Sequence, residues 1–481
     1  MAPRVVASIA FGAVAGALAC GGPGVGPPPS APRIDYVDGA IEPLLVRGQT
    51  VVLEGFGFGN VQGSGAVQFT RAGGGVVTAT IPAGGWSDRA VQAAVPDNAA
   101  TGPLLLTTAD GRTLSSTVHV LPHVVFDPAT LTWEARTAFP GSPVGVALAA
   151  GSTPAGAGLD VVVYAAGGAD LSGASAILPD SGVWVTRVVP GGALGTWRRP
   201  RDLPARRAFA ALAVANRFNS RYSGRALYVI GGVDSAARAR STVYQSLASS
   251  DTALEAFAPI EPLPIPVSGA IAVVRRGRIY VMGGADSLGR PQPNVFVGRI
   301  GVDGHIDGWY VQPPLPAPRA YGGGVVLDTR VSVFGGIGDS APPGGGLDTL
   351  QPRLAGGDGA ALSLFSGFFT GVWASGGPTL PVGRSQFATL VSGDLVLLVG
   401  GVYTSAVSSP SETIAGFVIG GDSLGDFSGP VGTNSIAGMG GGTLVGPAGV
   451  SWLDGDGSPH GLVVGGIDLA TRTLRDGAWG F

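Results

Sequence analysis

Lysine is absent from this chain of 481 residues, which has only one cysteine and four histidines. All 29 basic residues are therefore arginine, and the formal net charge is −3 with 13% charged residues, against about 25% in average soluble proteins. So little charge leaves no basic surface for nucleic acid, and no nucleic-acid partner is predicted. One cysteine excludes an intrachain disulfide. Four histidines argue against an imidazole-based metal centre, so neither a metal nor another cofactor is predicted.

Glycine and proline, by contrast, are abundant, with 83 and 38 residues. Glycine weakens helices and proline breaks them, so long helices are excluded over most of the chain. Hydrophobic residues still make up 45% of the chain, which is enough apolar surface to form cores. Apolar runs of about four to eight residues between glycine-rich turns are typical of strands. The sequence therefore predicts an all-β protein.

The first 31 residues predict export and a lipid anchor. Residues 1–19 hold one arginine and an apolar stretch shorter than the ~20 residues of a membrane-spanning helix, which is typical of a signal peptide. Cys20 resembles the lipidated cysteine of bacterial lipoproteins, which usually have leucine where Ala17 stands. The resemblance implies a Gly/Pro-rich tether over 20–31 and a protein anchored in a membrane at the outer membrane or cell surface. The alternative is an ordinary signal peptide with a chance cysteine.

Residues 32–122 predict a small β-sandwich. Val51 and Leu53 alternate with their neighbours as in a half-buried strand, and turn signals recur at intervals of about 8–12 residues. The stretch 48–59, the Trp86-Ser87-Asp88 block and the Val95-Pro96 block with Thr101-Gly102 resemble an IPT/TIG domain, an immunoglobulin-like module. The resemblance implies a spacer or adhesion unit.

A glycine pair ends an apolar run at six places, which indicates internal repeats. Each run has the composition of a strand, and a glycine pair allows a sharp turn close to a neighbouring backbone. The pairs are Gly167-Gly168, Gly231-Gly232, Gly283-Gly284, Gly335-Gly336, Gly400-Gly401 and Gly465-Gly466.

An aromatic residue forms a second recurring feature, and most copies precede a Leu-Pro or Phe-Pro pair. We expect these aromatic residues to pack between adjacent sheets. They are Trp133, Trp197, Phe257, Trp309, Trp373 and the degenerate Phe427.

Together these features resemble the kelch repeat and imply a six-bladed kelch-type β-propeller over 123–481. The chain after Gly466 has room for only one strand of the last blade. We therefore expect the segment near Val124–Trp133 to supply the missing outer strand, so that both ends of the propeller share one blade and no sheet edge is left open.

Three arginines are candidate ligand-binding residues. Arg206, Arg319 and Arg384 closely follow Leu-Pro pairs, so they are expected to form a partial ring near one mouth of the channel and to hold carboxylates, as in acidic sugars. The alternative is that they form inter-blade salt bridges or anchor loops. Asp454, Asp456 and His460 could suggest a cation site, but no glutamate follows at the required distance, and a hairpin turn is favoured.

The sequence favours a non-enzymatic cell-surface protein that binds a glycan or an extracellular protein through propeller loops. One alternative is a carbohydrate-active kelch enzyme of the mutarotase or lyase type, in which the arginines act with Glu255, Glu261 or Glu412. These glutamates form no motif. The other alternative is a structural component of an envelope assembly.

Overall fold

The computed structural model describes residues 31–155, 158–172, 176–189, 191–216, 224–249, 253–301, 303–338, 356–362, 367–403, 413–419, 423–434, 436, 444–468 and 473–481. Its secondary structure is all-β apart from one short 3-10 helix, Pro128–Thr130, which confirms the predicted fold class. No helix in these ranges has the length and apolar character needed to cross a membrane. Cys20 and the predicted signal peptide over 1–19 lie outside the described residues.

The first eight strands form a sandwich of two sheets. One sheet has the order β1-β3-β6 and the other β2-β8-β7-β4-β5, in which β2 and β8 are parallel. Alternate residues face inwards, so that Val51, Leu53, Phe69 and Leu104 are fully buried in one apolar core. The assignment of the sandwich to the IPT/TIG family stays a prediction. The strands are β1 (Arg33–Val37), β2 (Leu44–Val46), β3 (Thr50–Phe56), β4 (Ala66–Arg71), β5 (Val76–Thr78), β6 (Ala90–Ala94), β7 (Ala99–Thr107) and β8 (Thr113–Leu121).

The following strands build six antiparallel sheets, which we call blades 1 to 6. After β9 (Glu134–Arg136), blade 1 contains β10 (Ala147–Ala155), β11 (Gly158–Ala166), β12 (Ala169–Ser172), β13 (Ala176–Arg187) and β14 (Arg198–Arg207). Blade 2 contains β15 (Ala211–Asn216), β16 (Arg225–Ile230), β17 (Val243–Ala248) and β18 (Ala258–Ile260). Blade 3 contains β19 (Ile271–Arg275), β20 (Arg278–Met282), β21 (Val295–Ile300) and β22 (Ile306–Gln312).

Blade 4 contains β23 (Gly323–Val326), β24 (Arg330–Phe334), β25 (Gly357–Ala361) and β26 (Ala374–Gly377). Blade 5 contains β28 (Ala388–Ser392), β29 (Leu395–Val399), β31 (Thr413–Ile419) and β32 (Ser423–Leu424). Blade 6 contains β34 (Ala448–Leu453), β35 (Pro459–Val464) and β38 (Ala478–Gly480). Short additional pairings join the segments that flank the inner strands of blades 5 and 6, namely β27 (Arg384–Ser385), β30 (Val402–Tyr403), β33 (Leu444–Val445), β36 (Ile467–Asp468) and β37 (Thr473–Leu474).

The blades close into a ring. The inner strands β10, β15, β19, β23, β28 and β34 lie side by side in this order, and β34 contacts β10. Blade 6 takes its outer strand from the start of the propeller, because β9 pairs with β38 (Trp479 opposite Ala135). The predicted closure is therefore present, with the strand beginning at Glu134, directly after the expected segment. The shared blade leaves the ring without an open edge.

An apolar cluster fills each of the six spaces between adjacent blades. Each cluster contains one of the recurring aromatic residues. Trp373, for example, packs between blades 3 and 4 with Leu315 and Val297, and its Nε1 donates to the Pro313 carbonyl at 2.8 Å. This confirms the predicted packing role of the repeated aromatic residue.

The six glycine pairs connect neighbouring blades. Each pair directly follows the second strand of a blade, and both glycines have positive φ in every pair. The second glycine donates its N–H to a carbonyl at the entry to the next blade, as from Gly284 to Arg319 at 2.7 Å. A β-carbon on Gly283 would lie 2.2 Å from the Arg319 carbonyl oxygen, so the contact requires glycine for space as well as for conformation.

The sandwich packs against the propeller mouth at which the inner strands end. Arg276, in the turn after β19, contacts Asp38 of the sandwich (Nε–Oδ1 2.6 Å) and Asp328 of blade 4 (Nη2–Oδ1 3.1 Å), and it donates to the Thr50 carbonyl at 2.9 Å. Burial acts to raise the pKa of Asp38, but Arg275 and Arg276 outweigh it and lower the pKa. The opposite mouth, where the inner strands begin, is not part of this contact.

Candidate functional site

Six equivalent residues surround the propeller axis at the mouth where the inner strands begin, and we call them the axial ring. All six have left-handed backbone conformations. They are Gly145 (φ +58°), Phe209 (+53°), Gly269 (+58°), Tyr321 (+56°), Gln386 (+55°) and Gly446 (+66°).

Backbone hydrogen bonds link the axial ring from blade to blade. Phe209 donates its N–H to the Gly145 carbonyl and Gly269 to the Phe209 carbonyl, both at 2.8 Å. Tyr321 continues the series to Gly269 at 2.8 Å, Gln386 to Tyr321 at 2.9 Å, and Gly446 to Gln386 at 3.0 Å. These bonds require the same left-handed turn in every blade, and they use backbone groups that the axial opening would otherwise leave unpaired.

In the axial ring, each of the two aromatic residues follows a glycine of the preceding blade. The Phe209 ring covers the glycine of the preceding blade, since a β-carbon on Gly145 would lie 2.5 Å from Phe209 Cδ1. The Tyr321 ring covers Gly269 in the same manner, at 2.3 Å from Cε1. The two aromatic rings meet edge to face, with centroids 5.7 Å apart and an interplanar angle of 89°. Each glycine thus leaves room for the aromatic side chain of the next blade.

A cavity of about 160 Å³ opens at this mouth. Among the described residues that line it, none has a charged side chain and Tyr321 is the only titratable one. Gln386 is 6% exposed, and its Oε1 accepts no hydrogen bond from the described residues. The Tyr321 hydroxyl lies 3.4 Å from Ser268 Oγ. Burial raises the pKa of Tyr321, so the phenol stays neutral well above neutral pH. Lining residues are Gly145, Val146, Phe209, Ala210, Gly269, Ala270, Tyr321, Gly322, Gln386, Phe387, Gly446 and Pro447.

Two of these features, the left-handed conformation and the unpaired amide oxygen, carry an energetic cost. A left-handed conformation costs a non-glycine residue about 1–3 kcal/mol, and Phe209, Tyr321 and Gln386 each adopt it. A buried amide oxygen without a partner costs about 1–3 kcal/mol more. Glycine occupies the equivalent position in three blades, so the fold does not require these larger side chains. Costs of this kind typically occur where side chains serve a function.

Sequence reasoning missed the axial ring. Its six members are of four residue types. Only an in-phase alignment of the six segments that enter the inner strands shows that three of them are glycines at one equivalent position. The left-handed conformation of Phe209, Tyr321 and Gln386 has no signature in the sequence.

The predicted arginines lie on the same side of the propeller but do not form one set. Arg319 and Arg384 accept bonds at their carbonyls from the glycine pairs, and the equivalent residue in blade 2 is Arg207, not Arg206. Arg206 is therefore offset by one residue from the position that Arg319 and Arg384 occupy. Arg206 is exposed, and its Nη1 contacts the Pro179 carbonyl at 3.4 Å.

Arg319 and Arg384 are buried, with 2% and 1% of their surface exposed. Arg319 Nη2 contacts Asp358 Oδ2 at 2.8 Å, and its Nη1 donates to the carbonyls of Gly335 and Gly356, so it anchors strands within blade 4. Burial lowers the pKa of Arg319 despite the Asp358 carboxylate. This arrangement corresponds to the loop-anchor alternative rather than to an open carboxylate-binding fork.

Blades 2 and 3 have other residue pairs at the positions that Arg319 and Asp358 occupy in blade 4. The Arg207 guanidinium, at the entry to blade 2, lies 5.3 Å from the ring centroid of Tyr244 and donates to its hydroxyl at 3.1 Å. In blade 3 the equivalent residues, Val267 and Phe296, belong to one apolar cluster. An arginine at this position is thus matched to a partner on the third strand of the blade that it precedes.

The other candidate side chains that the structure describes do not line the axial cavity. Glu255 and Glu261 are exposed near the outer strand of blade 2, and Glu412 lies outside the described residues. Asp454 accepts the backbone N–H groups of Asp456 and Ser458, as in the favoured hairpin turn. Among the described residues, no group of three potential metal ligands converges.

Comparison with known proteins agrees with the repeat pattern. Beta-scruin of Limulus polyphemus is 27% identical over 142 residues, which cover 29% of this chain. Alpha-scruin of the same organism is 28% identical over 144 residues, or 30% of this chain. The chain spans 14% of the length of each of these kelch-repeat proteins. No protein-family model matches the chain. The six closed blades form a β-propeller, and these distant similarities agree with the kelch-type repeats that the sequence predicts.

Proposed function

We propose that this protein is a non-catalytic binding protein that recognises a glycan or protein partner at the mouth bearing the axial ring. The observation that carries the proposal is the presence of Phe209, Tyr321 and Gln386 at left-handed positions where three other blades have glycine. The sandwich contacts the opposite mouth through Arg276, so this contact leaves the axial cavity open to a partner.

The lining of the cavity supports binding over catalysis. Acid–base catalysis needs a group that exchanges protons near the working pH. Tyr321 is the only titratable side chain among the described lining residues, and burial raises its pKa away from that range. The arginines of the enzyme alternative are anchored inside the blades or, like Arg206, lie outside the cavity lining.

We further propose that the protein is exported and lipid-anchored through Cys20 at the outer membrane or cell surface. This proposal rests on the sequence of residues 1–31 alone. Replacement Cys20→Ser should abolish incorporation of labelled fatty acid and shift the protein from the detergent phase to the aqueous phase. Retention in the detergent phase would contradict the anchor.

The test of binding uses the full chain on a glycan array and on immobilised envelope proteins. The double variant Phe209→Gly, Tyr321→Gly should lose at least tenfold in affinity for any partner, because it removes both aromatic side chains and keeps a tolerated backbone. Ala237→Gly is the matched control, since Ala237 is an exposed left-handed residue outside the cavity. Binding that survives the double variant would place the site elsewhere. Sugar turnover lost in that variant would favour an enzyme.

A further inference from the structure

The outer edge of blade 1 concentrates positive charge in a chain that has little charge. Only 13% of all residues are charged, yet β14 carries five of the 29 arginines within ten residues. β14 pairs with β13 and forms the outer edge of the blade. Of its five arginines, only Arg207 is buried, so that four guanidinium groups on this edge are exposed to solvent.

Two of the exposed arginines share one face of the blade. Arg198 and Arg201 lie opposite Val185 and Val183 of β13, whose side chains belong to the apolar cluster between blades 1 and 2. Residues directly opposite each other in a ladder lie on the same face. Arg187 follows Val185 by two residues, so it lies on this face as well, and it is also exposed. Three arginines, Arg187, Arg198 and Arg201, thus border the outer end of the groove between blades 1 and 2, and we call them the arginine row.

The described carboxylates do not neutralise the arginine row. Arg187 Nε lies 3.2 Å from Asp160 Oδ1, but Asp160 Oδ2 also lies 2.9 Å from Nη2 of the buried Arg225. One carboxylate therefore serves two arginines. No ion pair between described residues involves Arg198 or Arg201. The row thus retains an excess of positive charge at an exposed edge.

Arg199, on the same strand, has its counter-charges within the blade. Its Nε lies 2.7 Å from Asp202 Oδ1, its Nη1 lies 3.6 Å from Asp180 Oδ2, and its guanidinium is 5.7 Å from the ring centroid of Trp184. Arg201 differs, because its Nε donates to the Leu254 carbonyl of the loop before β18 at 2.9 Å. This bond fixes the planar guanidinium and leaves its Nη groups without a carboxylate among the described residues.

We infer that the arginine row is a second binding surface, which takes a carboxylate-bearing polysaccharide chain along the outer end of the groove between blades 1 and 2. Guanidinium groups bind carboxylates through paired hydrogen bonds. Diagonal neighbours such as Arg187 and Arg198 are about 7–8 Å apart, and three residues along a strand span about 10 Å. Cations at such intervals suit the repeated acidic groups of a linear polymer. None of these arginines lines the axial cavity, so the inference is independent of the site proposed there.

Titration calorimetry of the full chain with polygalacturonate tests the inference, with dextran as the neutral polymer. We expect polygalacturonate to bind, dextran not to bind, and the affinity to fall as the ionic strength rises, since exposed charges are screened by salt. Monomeric galacturonate should bind about a hundredfold more weakly, because it loses the simultaneous contacts of the polymer. The double variant Arg198→Gln, Arg201→Gln should weaken the binding of polygalacturonate about tenfold.

The matched control removes the same charge from the sandwich. Arg33 and Arg112 are exposed there, with 54% and 60% of their side-chain surface accessible. The variant Arg33→Gln, Arg112→Gln should bind polygalacturonate within about twofold of wild type. The variant Arg198→Lys, Arg201→Lys keeps the charge and should retain more affinity than the glutamine variant. The unfolding midpoints of all variants are compared with that of wild type to confirm folding.

Four results would overturn the inference. Equal losses in the two glutamine variants would reduce the binding to attraction by overall charge, and equal losses in the glutamine and lysine variants would show that charge at these positions is not what binds. Vesicles of phosphatidylglycerol that bind as tightly as polygalacturonate would assign the row to a lipid surface instead. If polygalacturonate does not bind, the row is not such a surface, whereas the axial site is judged separately by the Phe209→Gly, Tyr321→Gly variant. That variant should leave binding of polygalacturonate unchanged.

Discussion

Replacement of Arg319 by valine tests whether the buried arginines are structural. Asp358 is 6% exposed, and its Oδ2 lies 2.8 Å from Arg319 Nη2. Arg319→Val would leave that carboxylate unpaired and two backbone carbonyls without their donor. Breaking a buried ion pair by removal of one partner costs about 3–5 kcal/mol. We expect the free energy of unfolding to fall by about that amount.

Arg206, one residue away from the equivalent buried position, provides the control. Arg206 is exposed and has no role in linking the blades, so Arg206→Val should change the free energy of unfolding by less than about 0.5 kcal/mol. A second variant, Arg319→Val with Asp358→Phe, recreates the apolar pair found in blade 3 at Val267. It should recover much of the loss, because replacing both charges removes the unpaired carboxylate.

Urea unfolding at pH 7, followed by tryptophan fluorescence, measures all three variants. Equal losses for Arg206→Val and Arg319→Val would refute the distinction between the two positions. A loss below about 1 kcal/mol for Arg319→Val would show that the Asp358 contact is not a buried ion pair in solution, since exposed pairs contribute about 0–1 kcal/mol.

Two further predictions concern the sandwich contact and the glycine pairs. The folded-state pKa of Asp38 is lowered, so Asp38 stabilises the protein above its unfolded-state pKa, and this contribution is lost as the pH falls through the folded-state pKa. The difference in unfolding free energy between wild type and Asp38→Asn should thus be constant above about pH 5 and shrink below about pH 4 in a urea series, and a difference that grows towards low pH would contradict it. Gly283→Ala should cost more than about 2 kcal/mol, because its β-carbon meets the Arg319 carbonyl and its φ is +65°. Gly289→Ala, with φ +74° and open space around it, should cost only about 1–2 kcal/mol, and equal losses in thermal unfolding would refute the close contact.

Much of the propeller was predictable because its repeated parts depend on residue type. The glycine pairs mark the end of each second strand, since only glycine fits both the positive φ and the approach to the next blade. The recurring tryptophans and phenylalanines mark the inter-blade clusters, since large apolar side chains must be buried between sheets. The count of strands after Gly466 required a strand from the start of the propeller, and β9 supplies it.

The candidate site was less accessible to sequence reasoning. A Leu-Pro pair followed by arginines suggested a ring of ligands, but a shift of one residue along a chain exchanges inward and outward positions. Arg206 is thus exposed, while Arg207 occupies the equivalent buried position. Burial then decided the role of Arg319, because a guanidinium that pairs with a buried Asp358 is no longer open to a ligand.

The sequence by itself determined the fold class, the six repeats and the closure of the ring, because strand periodicity, glycine turns and aromatic packing act locally or recur in phase. Only the tertiary structure decided which residues meet on the axis. Phe209, Tyr321 and Gln386 come from three different blades, and their common left-handed conformation is imposed by hydrogen bonds between blades. A contact that depends on closing a ring of six blades cannot be read from any one repeat.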